Sequence, residues 1–174
     1  MVLNLLLSQR PSDVKIIFEK SFAAYQQNRH EKSLSAATKL WKDFIKHLRF
    51  LQQEDFVDED GRLTDDGYWA ARLRLDYPLF VAQCLRENIF LQDDEKVLAA
   101  VMAVFAYDRN DEINIIIKNM PPRLYSSLRK ISLTIRPLTQ RLKAAGFETA
   151  KFYPSPGMSM YLWAGGKEWN EVIK

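Results

Sequence analysis

The sequence predicts a mainly α-helical protein, on three observations. Apolar residues recur three and four apart through most of the 174 positions, the spacing that lines one face of a helix. Proline and glycine (Pro11, Tyr77-Pro78, Met120-Pro121-Pro122, Gly146) punctuate these segments at their limits. A hairpin signal appears in one place, where two short β-type pieces flank the turn residues Asp60-Gly61.

The first helix opens at Pro11, with Ser8 or Gln9 at the cap, and carries Val14, Ile17, Phe18, Phe22 and Tyr25 on one face. Gln26 to Ser33 is a polar break. A second helix carries Leu34, Ala37, Trp41, Phe44, Leu48 and Leu51, with Lys39, Lys42, Lys46 and Arg49 on the far side. It runs into Phe56 to Thr64, where two short β-type pieces flank an acidic turn, a local hairpin signal. Thr64 or Asp65 caps the helix through Tyr68, Trp69, Ala71, Arg72 and Leu75. A long helix, a hairpin and a short helix suit a winged-helix module with the hairpin as wing. A wing this acidic is assigned to packing against protein rather than phosphate.

Tyr77-Pro78 marks a boundary. A helix with Leu79, Val81, Ala82 and Leu85 follows, then one opened by Asp93 or Asp94. The latter, with Val97, Leu98, Val101, Met102, Val104 and Phe105, is apolar nearly all round and is expected to be a buried central element. Ile113 to Ile117 reads as either a helical turn or a strand. Past Pro122, Leu124, Leu128, Ile131, Ile135, Leu138 and Leu142 form one apolar stripe over Arg123 to Ala145, kinked at Pro137 and capped by Gly146. Met158 to Trp163 and a short amphipathic piece around Trp169 and Val172 close the chain. The fold class is therefore mainly α, a winged-helix-like module with a short β-hairpin packed on a truncated helical bundle.

Composition bounds the function. Hydrophobic residues at 47% and charged residues at 27% suit a globular core rather than disorder. Cys84, the one cysteine, cannot form an internal disulfide. Leu3 to Leu7 is too short for a signal core, and no apolar stretch approaches the roughly 20 residues that span a bilayer. A cytoplasmic setting without membrane contact is expected.

Catalytic chemistry finds little support. Gly166-Lys167 is the nearest approach to a phosphate loop, but Tyr161 replaces its first glycine and Glu168 its metal-binding hydroxyl. Two histidines and one cysteine make no usual zinc set, so no metal or other cofactor is expected in this chain. His47 reads as a solvated surface residue and Cys84 as a small core residue. Trp163 and Trp169, either side of a basic glycine turn, read as core anchors, with stacking on unpaired bases as the alternative. Trp41 and Trp69 read as core.

Charge is unevenly spread around a net +3. Residues 54 to 66 hold seven acids against one base, and residues 118 to 151 hold eight bases against one acid. Such asymmetry suggests a polyanion on one surface, or else a solvated helix face.

Several passages, in order, resemble the C-terminal (DSHCT) region of superkiller and exosome-associated DExH-box helicases and their bacterial relatives. They are Asn4-Leu5-Leu6, Ser21 to Gln26, Phe56-Val57-Asp58 followed by Leu63-Thr64-Asp65-Asp66-Gly67, Tyr77 to Tyr107, and Met160 to Gly166. The resemblance implies residues 1–76 as a linker strand plus winged-helix-like module and residues 77–174 as a helical-bundle module, incomplete relative to the family. It implies the archless form, because Gln26 to Ser33 joins two helices directly, and a chain lacking the RecA-like motor domains and the final ratchet-type helix. ATP and magnesium would belong to those missing motor domains, in cis or in trans. The implied function is an accessory one, supporting the motor of an ATP-dependent RNA or DNA helicase and helping enclose single-stranded nucleic acid. Under that resemblance Arg123, Arg129, Lys130, Arg136, Arg141 and Lys143 are the candidate nucleic-acid contacts.

Two other readings compete. In one, the chain is a free-standing interaction module with the Leu124 to Leu142 stripe as a dimer seam. The other, a winged-helix transcription regulator, is disfavoured by the acidic wing.

Overall fold

A computed structural model describes residues 2–21, 34–73, 75, 77–90, 94–106, 120–149 and 152–172. The chain divides into two compact units, Met1–Leu73 and Arg74–Lys174. Among the described residues all regular structure is helical. The first unit holds α1 (Val2–Leu6), α2 (Pro11–Glu19), α3 (Leu34–Gln53) and α4 (Asp65–Arg72). The second holds α5 (Pro78–Arg86), α6 (Glu95–Ala106), α7 (Pro122–Ala144), α8 (Ser155–Ala164) and α9 (Trp169–Val172).

In the first unit α1 packs on α3 and α4, and α2 packs on α3. Val14, Phe44, Leu48, Phe50 and Leu51 are buried, and Phe18 meets the Phe44 ring edge-on with centroids 5.9 Å apart. Val2–Leu6 is a short helix where the resemblance implies an extended linker strand. It buries Val2, Leu3 and Leu6, which a helical turn can direct to one side. The cap of α2 is Arg10 rather than Ser8 or Gln9, its amide facing Asp13 Oδ2 at 3.4 Å.

The hairpin contracts to a single antiparallel bridge, Val57 to Leu63. Helix caps leave no room for more. At one end α3 closes with Asp55 at φ 60° and Phe56 N donating to Leu51 O at 2.9 Å, which fixes the fully buried Phe56. At the other, Thr64 Oγ1 accepts from Gly67 N at 3.1 Å and caps α4. Between these pins the chain spends Asp58 to Gly61 on a turn, with Arg62 N donating to Asp58 Oδ1 at 2.8 Å. Gly67 is required by contact as well. A Cβ there would sit 1.8 Å from the Phe56 carbonyl oxygen.

In the second unit α6 is the central rod, as its all-round apolar character predicts. Val97, Ala100, Val101, Val104 and Phe105 are buried, and α6 packs on both α7 and α8. Its contact with α8 is close because Gly157 faces Ala100 O and Val104; a Cβ there would come within 3.0 Å of that oxygen. Phe152 meets Phe80 and Phe105 edge-on at 5.2 and 5.4 Å, an aromatic nucleus the periodic pattern does not flag. Asp94 Oδ1 caps α6 by accepting from Val97 N at 3.1 Å. Helix α7 continues through Pro137, and Gly146 (φ 72°) ends it with Phe147 N donating to Leu142 O at 3.0 Å. The Ile113 to Ile117 segment lies outside the described residues.

Candidate nucleic-acid interface

Helix α7 carries Arg123, Arg129, Lys130, Arg136, Arg141 and Lys143 and no acid in 23 residues. Its inner face explains its place in the unit. Leu124, Ser127, Ile131, Ile135 and Leu138 are buried, with Leu124 fully so. The stripe is therefore internal core packed on α5 and α6, not a free seam for a second copy. Once that face is committed inward, the remaining positions must face water. All six bases are exposed.

Their surroundings differ. Arg123 Nη1 donates to Asp94 Oδ2 at 3.0 Å, so the carboxylate that caps α6 also holds the start of α7. Arg141 makes a further interaction within the chain. Arg129, Lys130, Arg136 and Lys143 have no acidic partner among the described residues. Tyr125 and Leu133 are exposed beside them. Lys118 and Lys151, counted in the same basic region, lie outside the described residues.

Three tryptophan assignments change. Trp163 is 59% exposed, Trp169 66% and Trp69 51%, where the sequence reading has all three as core. Helical spacing alone does not fix the inward face of a short helix. In α9 the buried position is Val172, which turns Trp169 outward. Trp41, by contrast, is half-buried and stacks on Phe44 at 5.3 Å. The turn between α8 and α9 bears Glu168 as well as Lys167, whose Nζ lies 3.5 Å from Glu171 in α9. Its field is not that of an anion site.

Other features offer less chemistry. An open recess of about 540 Å³ in the first unit is lined by Arg10 and Arg62 but equally by Asp13 and Asp60, so its charges balance. A slot of about 190 Å³ among Val101, Val104, Leu128, Ile135 and Phe152 is apolar and smaller than ordinary ligand pockets, which start near 300 Å³. Cys84 is fully buried, and desolvation pushes its thiol up to about 12, leaving it protonated and inert near neutrality. His47 is exposed, its Nδ1 2.6 Å from Asp43 O. Among the described residues no cluster of potential metal ligands occurs, and no helix is long and apolar enough to cross a membrane.

Residues 60–174 match the DSHCT (NUC185) domain model. A probable helicase, HelY of Mycobacterium leprae (strain TN), is 28% identical over 131 residues. The match covers 70% of this chain and 14% of that protein's length.

Proposed function

The chain belongs to the DSHCT domain family, and from that premise we propose that it acts as the accessory C-terminal region of an ATP-dependent RNA or DNA helicase. Residues 77–174 form the helical-bundle module and contribute a wall along a single strand. Residues 1–76 form the winged-helix-like module, its wing reduced to the bridged turn, and pack on the RecA-like motor. Hydrolysis, with its ATP and magnesium, belongs to that motor, in cis or in trans.

The observation that carries this reading is the outer surface of α7, with six exposed bases and no acid on a helix whose apolar face is already used. Neutralised phosphates release counterions, so each contact adds about 0.7 to the salt slope of single-strand binding, or about 0.9 for a duplex. Three or four contacts give weak, salt-sensitive and sequence-indifferent binding. Exposed Trp69, Trp163 and Trp169 supply apolar area for the protein side of the assembly.

The test is a titration of the chain into fluorescent oligo-dT and oligo-U at rising salt. Affinity should fall with a log–log slope between about −2 and −3. Binding that ignores salt, or that discriminates base sequence strongly, would contradict the reading.

A further inference from the structure

The six bases of α7 do not share one face. On a helix advancing about 100° per residue, Arg129, Arg136 and Lys143 fall within about 40° of one another. By the same spacing Arg123, Lys130 and Arg141 fall within about 20°, on a line roughly 130° away. Exposed Leu133 lies between the two rows.

The rows also differ in what they already hold. The second is engaged inside the chain at Arg123, which binds Asp94, and at Arg141. Its next seven-residue step after Lys130 falls on Pro137, which supplies no charge. In the first row Arg129, Arg136 and Lys143 repeat every seven residues, about 10.5 Å apart along the axis. Tyr125, 50% exposed, stands on the same line four residues before Arg129.

We propose that the row Tyr125–Arg129–Arg136–Lys143 is a track for a single strand, its phosphates against the three cations and one unpaired base stacked on Tyr125. This rests on the single-strand reading above and adds the face of α7, the residues on it and the stacked base. A duplex could use the cations but keeps its bases stacked inside, so it offers nothing to Tyr125. A flexible single strand can adjust its phosphate spacing to a row of separated charges and turn a base face to the ring.

Two charge-matched variants of the full chain test the face. Arg136→Gln/Lys143→Gln removes one arginine and one lysine from the track; Lys130→Gln/Arg141→Gln removes the same charges from the other row. With oligo-dT and oligo-U, the first should flatten the salt slope by about 1.4 and the second by less than about 0.7. Tyr125→Ala should weaken single-strand binding about tenfold, Tyr125→Phe should restore it, and a matched duplex should not distinguish them. Equal losses in the two double variants would overturn the track while leaving the nucleic-acid reading in place. A Tyr125→Phe protein as weak as Tyr125→Ala would overturn the stacking. Absence of binding by the unaltered chain at low salt would remove both proposals together.

Discussion

Both units close helices by the same device, a left-handed residue at the C-terminus, but they distribute their exposed charge differently. In the first, α3 closes through Asp55 in a left-handed conformation; in the second, α5, α7 and α8 close through Asn88, Gly146 and Gly166. Each closure leaves the next residue's amide on a carbonyl of the last turn: Phe56, Ile89, Phe147 and Lys167 on Leu51, Cys84, Leu142 and Leu162. Yet the first unit spends its loop on Asp58, Glu59 and Asp60, all exposed, and the second spends its longest helix on six exposed bases. The backbone solution is shared, so the charge partition is not a by-product of it.

The comparison can be broken most forcefully through the cores. Gly67→Ala should cost the first unit about 3 kcal/mol, because the added methyl meets the Phe56 carbonyl, a backbone atom that cannot swing aside. Leu124→Ala should cost the second unit about 2 to 5 kcal/mol through lost burial and the cavity left behind. Hydrogen exchange resolves these: each variant should lose protection first in its own unit, and uniform loss would argue against two compact units. Thr64→Ala should remove about 1 kcal/mol from the first unit alone, seen as earlier exchange at Gly67 and Tyr68.

A pH-dependent effect, confined to alkaline conditions, belongs to the second unit. Cys84 is held protonated when folded and ionises near pH 9 once unfolded. Between pH 9 and about 12 the folded form binds the extra proton, so stability falls as pH rises, by up to about 1.4 kcal/mol per pH unit. Below pH 9 the contribution is flat. Urea melts of the unaltered chain and Cys84→Ala should diverge in slope only above pH 9. The smallest expected effect is on the acidic side: Asp58→Asn/Glu59→Gln should leave the salt slope of single-strand binding unchanged. A change as large as that from the α7 variants would merge the two surfaces into one electrostatic background.

Much of this architecture was legible from residue order, and the failures have physical causes. The long stripes of α3 and α7, the all-apolar α6 and the cap at Gly146 follow from periodicity and cap chemistry, which also narrow two further caps to Thr64 or Asp65 and Asp93 or Asp94; the structure selects Thr64 and Asp94. Strand propensity at Val57 and Leu63 overstates the wing because it says nothing of the helix caps that pin both ends of the loop. Asp55 and Asn88 are not legible as left-handed caps from residue order, since glycine signals such a cap and other residues only sometimes adopt it. Size favours burial of Trp163 and Trp169, but four- and ten-residue helices have too few positions for a stripe to define a face. The basic residues of α7 are legible as a cluster, and their two rows follow from helical spacing; the engagement of Arg123 and Arg141 within the chain is what residue order does not signal.

The most direct test neutralises the α7 surface as a whole. A chain with all six bases changed to glutamine keeps its buried stripe and should retain its helical circular dichroism. Titrated with a fluorescent single strand at low salt, it should lose measurable binding, while the unaltered chain binds with affinity that falls steeply as salt is added. Undiminished binding by that folded variant would contradict the assignment of α7 as the nucleic-acid surface.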